Sequence, residues 1–94
     1  MSEQSEATPR ATRHDLQPWL VDALRAHGGS ATIVEICQYV WQNHEQDLRA
    51  SGDLFFTWQY DIRWAATKLR KKGVLSAPSA TAVGTWTLRS SLDA

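Results

Sequence analysis

Apolar residues in the first half of the chain recur with the period of an α-helix. Residues 16–24 show this spacing, which predicts a first helix with Asp15 as its cap and Gly28 just beyond its end. A second apolar stripe follows after a short extended link. Thr32 and Glu35 stand at the capping-box spacing at the start of this stripe, so a second helix is predicted to begin there.

The middle of the chain holds a polar segment, 43–52, with a Ser-Gly pair near its end. This composition predicts the end of the second helix and an irregular loop of about ten residues. Thr57 is the predicted N-cap of a long third helix that runs to Lys72, because Gly73 then ends it. The buried stripe of this helix is predicted to consist of Trp58, Ile62, Ala65 and Leu69.

Short alternating segments follow the third helix. Residues 74–76 and 85–88 have the pattern of two strands, and the Pro, Ser, Ala and Gly residues of 77–84 join them. The predicted order is helix, short strand, helix, loop, long helix, strand, flexible loop and strand. This order is typical of a winged helix-turn-helix domain, an α+β fold with three helices and a small antiparallel β-sheet that carries the wing.

The folded unit is predicted to span residues 15–90. Residues 1–14 are rich in Ser, Thr, Glu and Ala without an apolar period, so they are expected to form a flexible tail, with a second short tail at 91–94. The sequence has no run of about 18 apolar residues and no signal-peptide pattern. A cytoplasmic chain without a membrane partner is therefore expected.

The formal net charge of zero conceals an uneven distribution. Residues 1–61 carry four basic and nine acidic residues, a net charge of −5, whereas residues 62–94 carry six basic residues and one acidic residue, a net charge of +5. Local fields, more than net charge, attract phosphate. Double-stranded DNA is therefore the predicted partner.

The exposed face of the third helix is the predicted DNA contact. A recognition helix reads bases mainly through its N-terminal half, so Gln59, Tyr60 and Arg63 are expected nearest the bases. Arg63 is the strongest of these, since a guanidinium pairs with both acceptors of guanine. The alternative is that this face is only a solvated helix surface. The predicted DNA-binding set is Thr57, Gln59, Tyr60, Arg63, Thr67, Lys68, Arg70, Lys71 and Arg89.

Cations at the end of the third helix form a second group. Lys68 and the basic residues of 70–72 are expected to contact phosphates, or simply to favour the negative end of the helix dipole. The wing segment 77–84 has no Lys or Arg, which weakens the DNA prediction. Backbone or minor-groove contacts to DNA could come instead from Arg89, after the last strand, or from Arg10, Arg13 and His14 in the tail. The alternative for the tail is that it makes no contact with DNA.

The chain contains five tryptophans. Trp64 falls away from the buried stripe of the third helix, and we expect it to pack beneath the wing near Trp86. The alternative is an exposed aromatic that contacts DNA or a protein. The tryptophans expected to be structural are Trp19, Trp41, Trp58 and Trp86.

Catalytic chemistry has little support in the sequence. The three histidines have no Cys or carboxylate at metal-ligand spacing, and no Gly-rich phosphate loop or nucleophile motif occurs. Cys37 lies in an apolar stretch and is expected to be a small buried hydrophobe. No enzyme activity, catalytic residue, metal site or cofactor is therefore predicted.

Three short sequences carry a resemblance to a known family. Arg63-Trp64-Ala65, the stretch 69–75 (LRKKGVL) and the stretch 84–88 (GTWTL) resemble the end of the N-terminal winged-helix domain of Mrr-type restriction proteins, and the likeness covers about 16–89. The resemblance implies a domain that delivers DNA to a separate nuclease domain. The 94 residues leave no room for that nuclease. If they are the whole protein, the resemblance implies binding without cutting, in a restriction or defence system or in a regulator; if they are a fragment, the cutting activity lies elsewhere.

The main alternative is a winged helix that binds another protein, since a fold does not fix a function. Trp64, Tyr60 and the pair Phe55-Phe56 would then be exposed anchors, because aromatic residues dominate interface hot spots. A third alternative, an accessory subunit that reads a modified base, follows only from the family resemblance. A nuclease or another protein would then be a further partner, and the chain itself is expected to be a monomer or a weak dimer.

Overall fold

The computed structural model describes residues 11–77 and 84–89, which form three α-helices and a two-stranded antiparallel sheet. The α+β class predicted from the sequence is confirmed. No helix within these residues is long and apolar enough to cross a membrane. In chain order the elements are a 3₁₀ turn at Arg13–Asp15, α1 at Leu16–Ala26, β1 at Ser30–Thr32, α2 at Ile33–Arg49, α3 at Leu54–Lys71 and β2 at Thr85–Thr87.

The sheet joins two segments that lie far apart in the chain. β1 pairs antiparallel with β2, and Ala31 lies opposite Trp86. Both of these side chains are buried, whereas Ser30 and Thr87, the neighbouring pair, are joined on the outside by a hydrogen bond of 3.0 Å between their hydroxyls. The short strand predicted before the second helix is therefore confirmed.

Residues 74–76, for which the sequence pattern predicts a strand, form a single β-bridge. Leu75 pairs antiparallel with Leu88, and two backbone hydrogen bonds of 2.8 and 2.9 Å flank the pair. Of the residues 74–76, only Leu75 is paired in a bridge within the described part of the chain. Most of the wing loop 77–84 and the tail residues 1–10 and 91–94 lie outside the described residues.

α2 is longer than the sequence predicts. The polar segment 43–52 indicates a loop, but the helix continues to Arg49 and a short turn connects it to α3. The extra helical residues are held by tertiary and local contacts, because Leu48 is fully buried and the Arg49 Nε donates to the Glu45 carboxylate at 2.8 Å. The irregularity expected here takes the form of a kink at His44, where φ is −134° and ψ is 21°.

α3 begins one turn before Thr57, its predicted N-cap. Burial sets the earlier start, because Leu54 is buried and the Phe55 ring packs against Trp41 with 6.3 Å between ring centroids. Thr57 therefore lies within the first turns of the helix. Its hydroxyl donates to the Asp61 carboxylate at 2.7 Å instead of capping the helix.

The folded chain begins earlier than Asp15. Ala11 is buried, and its N–H donates to the Ser51 hydroxyl in the turn between α2 and α3 at 2.9 Å. The Thr12 N–H donates to the Asp15 carboxylate at 2.9 Å, so Asp15 closes the 3₁₀ turn and makes no side-chain cap on α1. Residues 11–14, expected to belong to the tail, therefore pack onto the domain.

The core lies among the three helices and the inner face of the sheet. The buried stripe predicted for α3 is confirmed at all four positions. Trp58 and Trp86 are buried, and Trp19 and Trp41 are half-buried against the core, as expected for structural tryptophans. The largest fully buried side chains are Leu16, Leu20, Leu24, Ile36, Val40, Leu48 and Ile62.

Thr32→Ala should destabilise the domain by about 0.5 to 2 kcal/mol, because Thr32 caps α2. Its hydroxyl accepts the Glu35 N–H at 3.1 Å, and its own N–H donates to the Glu35 carboxylate at 2.9 Å, a bond that lowers the Glu35 pKa from 4.5. Urea unfolding followed by circular dichroism measures the change. Thr32→Ser keeps the hydroxyl and should retain most of the stability. Equal losses in the two variants would contradict the capping role.

Candidate functional site

The exposed face of α3 lies opposite its buried stripe. Phe56 is 83% exposed and Tyr60 is 77% exposed, so two aromatic rings on this face are open to solvent. Arg70 is half-buried at its edge. The other residues of the predicted set that α3 exposes are Thr57, Gln59, Arg63, Thr67, Lys68 and Lys71.

Cations stand on both sides of Tyr60. At about 100° per residue, Arg63 and Arg70 lie roughly 60 to 80° to one side of it around the helix, and Lys68 lies roughly 80° to the other. The Arg63 side faces α2 and is called the α2 side. The Lys68 side, which includes Trp64, faces the 3₁₀ turn before α1 and is called the α1 side.

A groove of about 650 Å³ lies on the α2 side, between α2 and α3. Among the described residues that line the groove, Arg63 is the one with a charged side chain, and Gln38 and Gln59 contribute amides. The Cys37 thiol in its wall is half-buried; burial raises the pKa of this thiol above 9.0, and the positive charge of Arg63 acts in the opposite direction. The thiol is therefore protonated at neutral pH. The apolar lining consists of Ile33, Val34, Trp41, Phe55 and Trp58.

The cations of α3 have no carboxylate partner in the part of the chain that the structure describes. The ion pairs found there lie within α2. Lys72, just beyond the end of α3, donates from Nζ to the Gln17 amide oxygen at 2.8 Å. Within α3, the cationic groups that can attract an external anion are Arg63, Lys68, Arg70 and Lys71.

Arg89 lies apart from the residues expected near the bases. Its Nη1 is 3.1 Å from the place that a Cβ on Gly73 would occupy, so the guanidinium lies at the C-terminal end of α3. Gly73 has a φ of +81° and leaves room for this approach. Arg89 can therefore extend the cationic end of the helix, but it lies far along the helix from Gln59 and Tyr60.

Trp64 contacts the N-terminal segment and not Trp86, its expected neighbour. The Arg13 guanidinium carbon is 4.3 Å from the centroid of the Trp64 ring, and the His14 ring meets it edge-on at 5.3 Å. The Lys68 Nζ is 5.7 Å from the same centroid. Trp64 lies on the α1 side, which explains why it packs against the 3₁₀ turn and not against Trp86.

Metal ligands do not gather in the described ranges. Within residues 11–77 and 84–89, no group of three His, Cys, Asp or Glu side chains could hold a metal ion. The described site instead offers exposed cations, two amides and two exposed aromatic rings. These groups can bind a polyanion or pack against an apolar surface.

Comparison with family models, with curated proteins and with solved structures found no match to this chain.

Proposed function

We propose that the chain is a winged-helix domain that binds duplex DNA, with the exposed face of α3 in the major groove. One observation carries the proposal: this face has arginine or lysine on both sides, and none of these cations is paired with a carboxylate in the described residues. Unpaired cations contribute most of the affinity of proteins for the phosphate backbone.

The arrangement of the strands supports the winged-helix part of the proposal. The 85–88 segment lies between β1 and the bridge residue Leu75, so the last strand is central although it is last in the chain. α2 and α3 follow one another through a short turn, as in a helix-turn-helix. The long helix α3 is thus the element that such a fold presents to DNA.

The dimensions of α3 also support major-groove binding. A helix with its side chains is about 10 to 12 Å across, close to the width of the major groove of about 12 Å. Gln59 and Arg63 on the α2 side carry an amide and a guanidinium, the groups that pair with adenine and guanine edges. Tyr60 lies between them and the α1 side, where its ring would face the base edges.

The proposal is tested by an NMR titration of the isotope-labelled chain with random-sequence duplex DNA at low salt. We expect amide signals within 59–71 to shift, because this part of α3 carries the exposed side chains proposed to face the duplex. The signals around Arg25, on the outward face of α1, should stay in place and serve as the internal control. Absence of any shift at low salt, or shifts that leave α3 unaffected, would contradict the proposal.

A second candidate function, binding to another protein, is favoured by the exposed apolar residues. Phe56, Tyr60 and Val34 are 83%, 77% and 65% exposed, and the groove between α2 and α3 is mainly apolar. Aromatic residues of this kind are typical anchors of protein interfaces. The same NMR titration separates the candidates, because a protein-binding face would leave the spectrum unchanged on addition of DNA.

A further inference from the structure

We propose that Arg13 and Lys68 form a phosphate-binding pair on the α1 side of α3, so that α3 contacts both strands of the duplex. The inference rests on the proposed DNA-binding function and extends it to a residue outside α3. Arg13 belongs to a segment that the sequence places in a flexible tail. The structure instead brings it to the edge of the α3 face.

The Trp64 ring brings the two cations together. The Arg13 guanidinium carbon lies 4.3 Å from the ring centroid and the Lys68 Nζ lies 5.7 Å from it, distances at which a cation is attracted by an aromatic face. Arg13 and Lys68 are both exposed, and Trp64 is half-buried beneath them. The ring therefore holds both positive charges at the surface, where an anion can reach them.

Hydrogen bonds of the two residues before Arg13 anchor its backbone. The Ala11 N–H donates to the Ser51 hydroxyl, and the Thr12 N–H donates to the Asp15 carboxylate, each at 2.9 Å. The Asp15 carboxylate is thereby engaged with the main chain, and it forms no ion pair with Arg13 in the described part of the chain. The guanidinium is held in position without being neutralised.

The charge pattern around α3 matches the two sides of a major groove. Arg63 and Arg70 lie on the α2 side, and Arg13 and Lys68 lie on the α1 side. Between these sides lie Phe56, Tyr60 and Thr67, which are uncharged, and the exposed cation Lys71 in the last turn of α3. In the major groove, base edges lie in the middle and a phosphate strand lies on either side. Arg70 on the α2 side and the pair of Arg13 and Lys68 on the α1 side would therefore meet the two strands, while Arg63 reaches the base edges.

The test compares Arg13→Gln and Lys68→Gln with Arg25→Gln, which removes an exposed cation from the outward face of α1. Affinity for random-sequence duplex DNA is measured at several salt concentrations. Each phosphate contact contributes about −0.9 to the slope of log affinity against log salt. Arg13→Gln and Lys68→Gln should each make the slope less steep by about 0.9, and Arg25→Gln should leave it unchanged.

Arg13→Lys distinguishes the charge from a merely structural role, because it keeps the cation and should keep the wild-type slope. If Arg13→Gln fails to fold, the salt slope of Lys68→Gln still tests the phosphate-binding pair, since Lys68 is exposed and its loss leaves the core intact. Wild-type slopes in both glutamine variants, with duplex binding retained, would overturn this inference and leave the DNA-binding function standing. Absence of duplex binding by the wild-type chain would instead overturn the proposed function.

Discussion

Trp58→Ala should lower the free energy of unfolding by about 3 to 5 kcal/mol, which is most of the stability of a small domain. Trp58 is 4% exposed, and its ring lies nearly parallel to that of Trp41, with 6.2 Å between centroids. Alanine would leave a cavity between α2 and α3 that these helices can fill only in part. Urea unfolding followed by circular dichroism measures the loss.

Two variants control this experiment. Tyr60→Ala removes an aromatic ring from the same helix, but Tyr60 is 77% exposed, so its free energy of unfolding should change by no more than about 0.5 kcal/mol. Trp58→Phe keeps an aromatic ring and should lose less than Trp58→Ala. If Trp58→Ala and Tyr60→Ala were equally stable, the packing described between α2 and α3 would be wrong.

Arg63→Ala should weaken binding to a preferred duplex by about 5- to 150-fold, the equivalent of about 1 to 3 kcal/mol for one bidentate contact to guanine. The loss should be smaller on random-sequence duplexes, because a base contact contributes to sequence preference more than to general affinity. Arg63 is exposed and makes no ion pair with the described residues, so its removal should leave the fold intact. Fluorescence anisotropy with labelled duplexes measures both affinities.

Arg25→Ala is the matched control, since it removes an exposed arginine from the outward face of α1. Its affinity for both duplexes should equal that of the wild-type chain. Unchanged affinity in Arg63→Ala would remove Arg63 from the proposed interface. Equal losses in the two variants would indicate a general effect of charge and no base contact.

The central part of α3 is predictable from sequence because one helix face packs against the whole core. Trp58, Ile62, Ala65 and Leu69 recur at helical spacing, and the structure buries all four. The same period places the candidate site residues on the opposite face. Helix periodicity therefore determines which side chains can reach a partner, although it does not determine what that partner is.

The end of α2 and the start of α3 depend on contacts that local composition does not reveal. Leu48 is buried although its neighbours in the sequence are mostly polar, so the sequence pattern gives no sign of its burial. His44 stacks on Trp19 of α1 with 3.8 Å between ring centroids. A polar segment can therefore stay helical when single residues in it pack against a distant helix. Thr57 likewise is of a residue type that commonly caps helices, but α3 begins three residues earlier, at Leu54, which is buried.

The sequence pattern does not predict that residues 11–14 pack onto the domain, because their contacts join residues that are far apart in the chain. Ala11 bonds to Ser51 and Arg13 stacks on Trp64, and neither contact leaves a periodic pattern. The one local signal is the spacing of Thr12 and Asp15, which permits the hydrogen bond between them. The sequence offers Arg13 only as a tail residue left for backbone or minor-groove contacts, and the tertiary structure places it beside Trp64 of α3.

The salt dependence of duplex binding tests the central claim most directly. Affinity of the wild-type chain for random-sequence duplex DNA is measured by anisotropy from low to physiological salt. If about four phosphates are contacted, log affinity should fall with log salt with a slope of roughly −3.6. A slope near zero, or no binding at the lowest salt, would contradict the claim that α3 is a DNA-binding surface.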